Sequence, residues 1–418
     1  MPEAWSRPVV PGLPGEGRAP RLYDSASQRL VDCTPEHVAR LYVCGITPYD
    51  ATHIGHAATY LAFDTLQRVW LDAGLEVHYT QNITDVDDPL LERANDTGVD
   101  WRELADQQIQ LFRDDMVALR ILPPQDYVAV TEVIGEIADA VSSLRERGIA
   151  YSVDTPESAG DDLYFDVERA AESAPWHIGE ESNLDREAML ALSAERGGDP
   201  DRPGKRDALD PLLWRASRDG EPSWDSVVGP GRPGWHIECS VIALKHLGAD
   251  FTVQGGGADL VFPHHDLSAG HAAALSGHPL AKLYSHAGLI AYRGEKMSKS
   301  LGNLVLVSRL LEQGVPAAGI RLALLAHHYR EEWEWTAEGL ERALKRLDAW
   351  RDLAADPTGA HALDVLAAVR ERLADDLDTP GALAVIDRTA ESGVDDPDLL
   401  RATVDALLGV DLTAPPGS

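Results

Sequence analysis

Two rhythms of apolar and polar residues run along this chain. "RLYVCGI", centred on residues 41–44, is a short apolar, β-prone run. "HAATYLAFDTLQRVWLDAG" changes to helical spacing: Tyr60, Phe63, Leu66, Val69 and Trp70 fall on or near one face, and Gly74 supplies a C-terminal stop. "EVHYTQNIT" returns to a strand pattern. Strand, loop, helix, strand is a βαβ order, which predicts an α/β fold with a parallel sheet. The loop after the first strand then lies at the carboxyl edge, where such sheets bind ligands.

Further on, "WRELADQQIQLFRDDMVALRIL" predicts a helix stopped by Pro123 and Pro124, and 131–147 predicts another, ended by Gly148. "IAYSVD" and "DLYFDV" read as a β-hairpin, and 167–232 is polar and rich in Gly, Pro and Asp. We therefore expect 126–232 to be an insertion in the sheet domain. Strand and helix patterns then resume. "PGWHIECSVIALKHLG" is a turn running into a helix, "ADFTVQGGGADLVFPHHD" a strand with a Gly-rich loop, "SAGHAAALSG" a helix and "LYSHAGLIAY" a strand. From 316 to 412 the pattern is helical. The expected division is an N-terminal arm (1–40), two halves of the sheet domain (41–125 and 233–292), the connective insertion (126–232), a lysine loop with its flanking region (293–345) and a C-terminal helical bundle (346–418).

Composition adds limits. The 418 residues exceed one ordinary core, and no apolar run reaches the length of a membrane span. The Pro- and Gly-rich start lacks an apolar signal core, so we expect a cytoplasmic protein with a loose leading arm and no membrane partner. A net charge of -32 repels phosphate backbones and reads as a solubility or salt adaptation. Three cysteines, Cys33, Cys44 and Cys239, argue against a disulfide framework.

Against that background two motifs stand out. His53-Ile-Gly-His56 falls at the predicted N-terminus of the first helix, where free backbone N–H groups and the helix dipole favour phosphate. Gly55 would let a ligand approach closely. Taken alone the tetrad is a weak signal, and two capping or core histidines are the favoured reading. The second motif, "KMSKS", holds Lys296 and Lys299, two of only six lysines in a very acidic chain, and such clustering invites a polyphosphate.

An early His-Ile-Gly-His and a late Lys-Met-Ser-Lys-Ser on an α/β sheet resemble the class I aminoacyl-tRNA synthetases. "YVCGITPYD", "NITDVDDPLLERA", "GRPGWHIECS", "GGGADLVFPHHD" and "GEKMSKSLGN", spanning residues 42–303, narrow the resemblance to the cysteinyl branch and the related mycothiol ligases, which join cysteine to glucosaminyl-inositol. The resemblance implies a class I synthetase-type, Rossmann-like parallel sheet with a connective insertion and a helical bundle. It also implies one zinc ion per chain, held by Cys44, Cys239 and His264. Two thiolates and an imidazole are ordinary zinc ligands, and three protein ligands leave a position for the substrate's thiolate. Each cysteine alone would be read as a small buried hydrophobe. Cys33 matches nothing and is expected to be structural.

By the same resemblance, His53, His56, Lys296 and Lys299 are the catalytic residues. Cys44, Gly45, Ile46, Thr47, Thr59, Asn82, Ile83, Thr84, Trp235, Gly257, Ala258, Asp259 and Ile290 line the cysteinyl-adenylate, and Mg2+ accompanies ATP. Cysteinyl synthetases read His-His-Glu-x-Glu after the Gly-rich loop, with the last glutamate at or near the zinc. Here "HHDLS" puts Ser268 there, a poor zinc ligand, as in the mycothiol ligases. Asp85, Asp87 and Asp88 of "TDVDD" are expected to cap the next helix and shape the acceptor side.

Residues 301–418 carry 11 Lys+Arg against 21 Asp+Glu, a poor platform for tRNA. "ERGGDP", 195–200, also resembles the mycothiol ligases. The expected reaction therefore takes ATP, L-cysteine and the amine of glucosaminyl-inositol and forms an amide, with no tRNA, on a monomer. The rivals are a cysteinyl-tRNA synthetase and a non-catalytic zinc-binding paralogue.

Overall fold

The structure, a computed structural model, describes residues 4–35, 37–49, 52–158, 160–297, 302–353 and 355–413, and of Lys296 only the backbone. The leading segment is not loose. Trp5 is buried edge-on against Phe112 and Tyr127, and its indole N–H donates to the Ile121 carbonyl at 2.7 Å. An indole buries a large apolar area and needs only one acceptor, so a single tryptophan suffices to pin an otherwise irregular arm. A hairpin follows, β1 (Arg21–Asp24) and β2 (Arg29–Asp32).

The first crossover then forms from β3 (Val38–Val43), α1 (Ile54–Asp72) and β4 (Glu76–Ile83). Its helix is apolar almost all round because it is covered on both sides, by the sheet and by the C-terminal helices. Two polar residues of α1, Asp64 and Arg68, are fully buried as an ion pair at 2.8 Å. Arg321 pairs with the same carboxylate, and both guanidiniums also donate to backbone carbonyls near residues 405–408. Removing one member of such a cluster strands a buried charge, which costs about 3–5 kcal/mol. The helix that carries the tetrad is thereby fixed to the C-terminal region.

After α2 (Asp88–Thr97) and α3 (Trp101–Ala118) comes β5 (Asp126–Ala129), which pairs in parallel with β4. The sheet thus runs four residues into the segment expected to be insertion. Next are α4 (Ile134–Glu146), β6 (Ala150–Val153), β7 (Asp162–Phe165), α5 (Val167–Ser173), α6 (Arg186–Glu195), β8 (Leu212–Ala216) and β9 (Gly231–Pro233). The expected hairpin is β6–β7, and β8 and β9 extend it to a four-stranded antiparallel sheet.

The parallel sheet is completed by α7 (Trp235–Leu247), β10 (Val253–Gly257), α8 (Asp266–Ser276) and β11 (Tyr284–Ala287). Its strand order is β11-β10-β3-β4-β5, every pair parallel. The chain leaves β3 toward β4 on one side and β10 toward β11 on the other. A crevice therefore opens above the β3 and β10 ends, the position where such sheets bind ligands.

"LYSHAGLIAY", expected as one strand, is two. Gly288 breaks it: a β-carbon there would lie 2.2 Å from the Glu331 carbonyl oxygen. The second piece, β12 (Ile290–Tyr292), pairs with β13 (Glu295–Lys296) and, after α9 (Val307–Glu312) and α10 (Ala317–Leu325), with β14 (Trp333–Glu334). The C-terminal part holds α11 (Ala337–Arg351), an extended β15 (Ala355–Ala360), α12 (Ala362–Ala374), α13 (Thr379–Ser392) and α14 (Pro397–Leu408). Among the described residues no helix is long and apolar enough to cross a membrane.

Candidate active site and metal group

At one end of the crevice, His53 is the N-cap of α1. Its Nδ1 accepts from the N–H groups of Gly55 at 3.0 Å and His56 at 3.3 Å. The helix N-terminus therefore does not offer those two N–H groups free, as the sequence suggested; the cap takes them. A neutral imidazole that accepts at Nδ1 carries its proton on Nε2. His53 is thus set as a donor at the other nitrogen. His56 stacks on it at 3.8 Å, and burial lowers its pKa to about 4, so it is neutral at pH 7. Its Nδ1 is buried and, among the described residues, has no hydrogen-bond partner. Thr59, one turn on, donates to the Gly55 carbonyl at 3.3 Å.

The segments that flank the lysine motif are described on either side of it, and the one after it meets the same end. Arg293 and Gly294 turn β12 into β13 with φ of 59° and 77°, the two positive values that a tight I′ hairpin turn needs. Lys296 closes that hairpin, its backbone opposite Ala291, while Lys299 lies outside the described residues. Beyond the loop the chain returns to the tetrad. The Ile54 N–H donates to the Val305 carbonyl at 2.9 Å and the Val307 N–H to the Thr52 carbonyl at 3.1 Å. Ile290 is buried at the root of this hairpin.

Between the two ends, the β3 and β4 termini are knitted together. The Gly45 N–H donates to Asn82 Oδ1 at 2.8 Å, Tyr42 donates to the same oxygen at 3.1 Å, and Asn82 Nδ2 donates to Thr84 at 3.1 Å. The Thr84 N–H reaches the Ile46 carbonyl at 3.0 Å. Only glycine fits at 45, since a β-carbon would lie 1.6 Å from the Asn82 carbonyl oxygen. Ile83 is buried and Thr47 half-buried beside this lattice. Gly257 ends β10, Ala258 and Asp259 open the turn after it, and all three are partly accessible.

At the other end, Cys44 from the end of β3, Cys239 from α7 and His264 from the loop after β10 present their ligating atoms within 4.8 Å of one another. The sulfurs are 3.9 Å apart, and His264 Nε2 is 3.3 Å from Cys239 Sγ. A tetrahedral zinc site with ordinary bond lengths has S···S edges of about 3.8 Å and S···N edges of about 3.6 Å. The donors present fit such an ion. Hydrogen bonding from the Cys44 thiol, aided by His264, holds Cys239 well below the usual thiol range, while burial pushes Cys44 up. Trp235, one turn before Cys239 on α7, lies over the His264 ring at 4.3 Å. Cys33 is buried elsewhere and accepts the Trp70 indole N–H through its carbonyl.

A set of buried residues around this group escaped the sequence reading. His265 Nε2 is 3.2 Å from Cys44 Sγ, His265 Nδ1 is 2.7 Å from His286 Nε2, and His286 Nδ1 is 2.7 Å from Ser25. His236 meets His264 at 3.1 Å, and Gln254 approaches both Cys44 and His265. Only the His-His doublet at 264–265 could have signalled them. The Ser268 hydroxyl donates to the His236 carbonyl at 3.0 Å.

The three aspartates divide. Asp85 accepts from both the N–H and hydroxyl of Thr131, and Asp88 pairs with Arg232. Asp87 caps α2 through the Asp88 N–H, and burial raises its pKa to about 6.

A switch-point crevice with a histidine-capped helix at one end and, beside it, the hairpin that leads into the lysine motif defines the catalytic domain of the class I tRNA synthetases. The family model described as "tRNA synthetases class I (C) catalytic domain" matches residues 30–345. Among solved structures, the chain resembles Mycobacterium tuberculosis methionyl-tRNA synthetase in complex with methionyl-adenylate, with a TM-score of 0.58 and 15% identity over 89% of each chain. It also resembles Agrobacterium radiobacter K84 agnB2 LeuRS, with a TM-score of 0.61 and 13% identity over 90% of this chain and 84% of that one. These share the fold. Curated relatives are far nearer in sequence. The L-cysteine:1D-myo-inositol 2-amino-2-deoxy-alpha-D-glucopyranoside ligase of Clavibacter michiganensis subsp. michiganensis is 62% identical over 99% of both chains. That of Thermobispora bispora is 59% identical over 98% of this chain and all of the relative. The chain belongs to this ligase family, built on the class I synthetase domain.

Proposed function

We propose that the protein activates L-cysteine with ATP as cysteinyl-adenylate and transfers the cysteinyl group to the amine of glucosaminyl-inositol, forming the amide that leads to mycothiol. The observation that carries this is the meeting of Cys44 and Cys239, 195 residues apart in sequence, beside His264 at one end of the crevice that bears the tetrad at the other. Family membership supports the acceptor, because the relatives' names give both substrates.

In the first step the cysteine carboxylate attacks the α-phosphorus of ATP and pyrophosphate leaves. Positioning and electrostatics supply most of the help such a transfer needs. His53 Nε2–H and His56 act as neutral donors to the α-phosphate oxygens as charge builds there. Lys296 and Lys299 hold the pyrophosphate, with Mg2+ accompanying ATP. Asn82, Thr84 and Thr47 orient the amino acid, Trp235 closes over it, and Gly257 to Asp259 with Ile290 receive the adenosine. Cys44, Cys239 and His264 would hold a zinc ion, which supplies a soft binding position that favours a thiolate over the hydroxyl of serine. In the second step the acceptor amine attacks the adenylate carbonyl and AMP leaves. Asp87 is the aspartate we assign to the acceptor side: its Oδ1 takes the Asp88 N–H, whereas Asp85 uses both oxygens on Thr131 and Asp88 pairs with Arg232.

The test incubates purified protein, ATP and cysteine with glucosaminyl-inositol or with tRNA. The amide product and AMP are expected. Cysteinylated tRNA without the amide would replace this reading with the cysteinyl-tRNA synthetase. Absence of cysteine-dependent ATP–pyrophosphate exchange would leave a non-catalytic paralogue.

A further inference from the structure

The "ERGGDP" segment, 195–200, belongs to no part of the mechanism above, yet it reaches the nucleotide end. Arg196 is the C-cap of α6, and its N–H closes the helix onto Leu192 and Ser193. Gly197, at φ +84°, and Gly198 then turn the chain sharply. A β-carbon on Gly198 would lie 2.3 Å from the Ser193 hydroxyl and 2.7 Å from its carbonyl oxygen, so the turn needs glycine. Asp199 ties the far side of the turn to the insertion, accepting from the Tyr164 hydroxyl and from Lys205 at 3.0 Å.

From this anchored base the Arg196 side chain crosses to the loop after β10. Its Nη1 donates to two carbonyls, those of Asp259 and Phe262, both at 2.5 Å. The Phe262 ring is buried with Met189 of α6 and Leu209. One guanidinium nitrogen bridging carbonyls three residues apart sets the curvature of the turn between them. That turn carries the Asp259 side chain, whose carboxylate folds against Gly257: a β-carbon there would lie 2.6 Å from Asp259 Oδ1.

We infer that Arg196 is a positioning residue for the adenosine end of the site, through which the insertion holds loop 257–262 in the shape that binds ATP. This rests on the reading that Gly257 to Asp259 receive adenosine. The charged bridge holds the loop before nucleotide arrives, so the ordering cost is met in folding and not in binding.

The experiment is cysteine-dependent ATP–pyrophosphate exchange on full-length, zinc-replete protein. Arg196→Met should raise the KM for ATP about tenfold, as expected for loss of charge-assisted hydrogen bonds, and leave the KM for cysteine within about twofold. Zinc content should be unchanged. Arg196→Lys, which can still donate to both carbonyls, should recover most of the ATP affinity. Asp259→Asn tests the underlying reading: an unchanged ATP KM there overturns the adenosine assignment of the loop whatever Arg196 does. A raised ATP KM in Asp259→Asn with a normal one in Arg196→Met overturns the positioning role alone. Equal damage to cysteine KM and zinc content, or an equal effect from Arg186→Met on the same helix, would mean general loosening of α6 and would also overturn it. If Arg196→Met does not fold, the lysine variant against Arg196→Gln gives the same comparison.

Discussion

The two ends of the crevice are built in opposite ways. The tetrad at one end is local. His53, Gly55, His56 and Thr59 lie within two turns of one helix, and the cap that orients His53 is made by its own neighbours. The metal end is assembled from a strand terminus, a helix and a loop drawn from distant parts of the chain. A local device keeps its geometry as long as its helix forms. An assembled one depends on every element that brings its parts together, so damage should stay confined at the first end and spread at the second.

The largest expected effect tests that difference directly. Cys239→Ala should remove bound zinc, read by elemental analysis, and lower cysteine-dependent exchange on the order of 10³-fold. A zinc-free variant that keeps its exchange activity would end the metal assignment. His56→Ala should lower kcat on the order of 10²-fold through loss of a donor to developing charge, with zinc content and cysteine KM near those of the parent. Loss of zinc in that variant would show that the tetrad end is not independent.

A smaller effect concerns pH. His271 of α8 is fully buried against Phe165, and burial, opposed only in part by a contact with the His236 backbone, lowers its pKa to about 3. His286 in the chain leading to Cys44 is lowered similarly, to about 3. The unfolded chain takes up protons below about 6.5 that the native state refuses. Stability is therefore full above that value and is lost as pH falls toward the folded pKa. For His271 the loss between pH 8 and pH 5 should be about 2 kcal/mol. His271→Leu should flatten the acid side of the profile by about that amount in urea titrations of zinc-saturated protein. An unchanged slope would show that the histidine is not held neutral.

Much of this was readable along the chain. The βαβ rhythm, the tetrad, the lysine motif and the hairpin at 150–165 depend on residues close in sequence, where period and turn chemistry act. The resemblance then tied Cys44, Cys239 and His264 together, which spacing alone does not do. What escaped has a common cause. Trp5 looked like part of a loose arm because its partners, Phe112, Tyr127 and Ile121, are more than a hundred residues away. Residues 126–129 lack a pattern that separates an edge strand from an insertion, and pairing with β4 decides it. His265, His236 and His286 each look ordinary until the fold stacks them beneath the metal group.

The sequence by itself determined the class of sheet, the helix that carries the tetrad and the kinds of ligand atom available, because these follow from local period, capping and side-chain chemistry. Only the tertiary structure decided that the tetrad caps itself, that the Ser268 hydroxyl donates to the His236 carbonyl, and that Arg196 of the insertion grips the loop after β10. Those contacts join elements far apart in the chain, and their geometry exists only once the sheet order has set which loops share an edge.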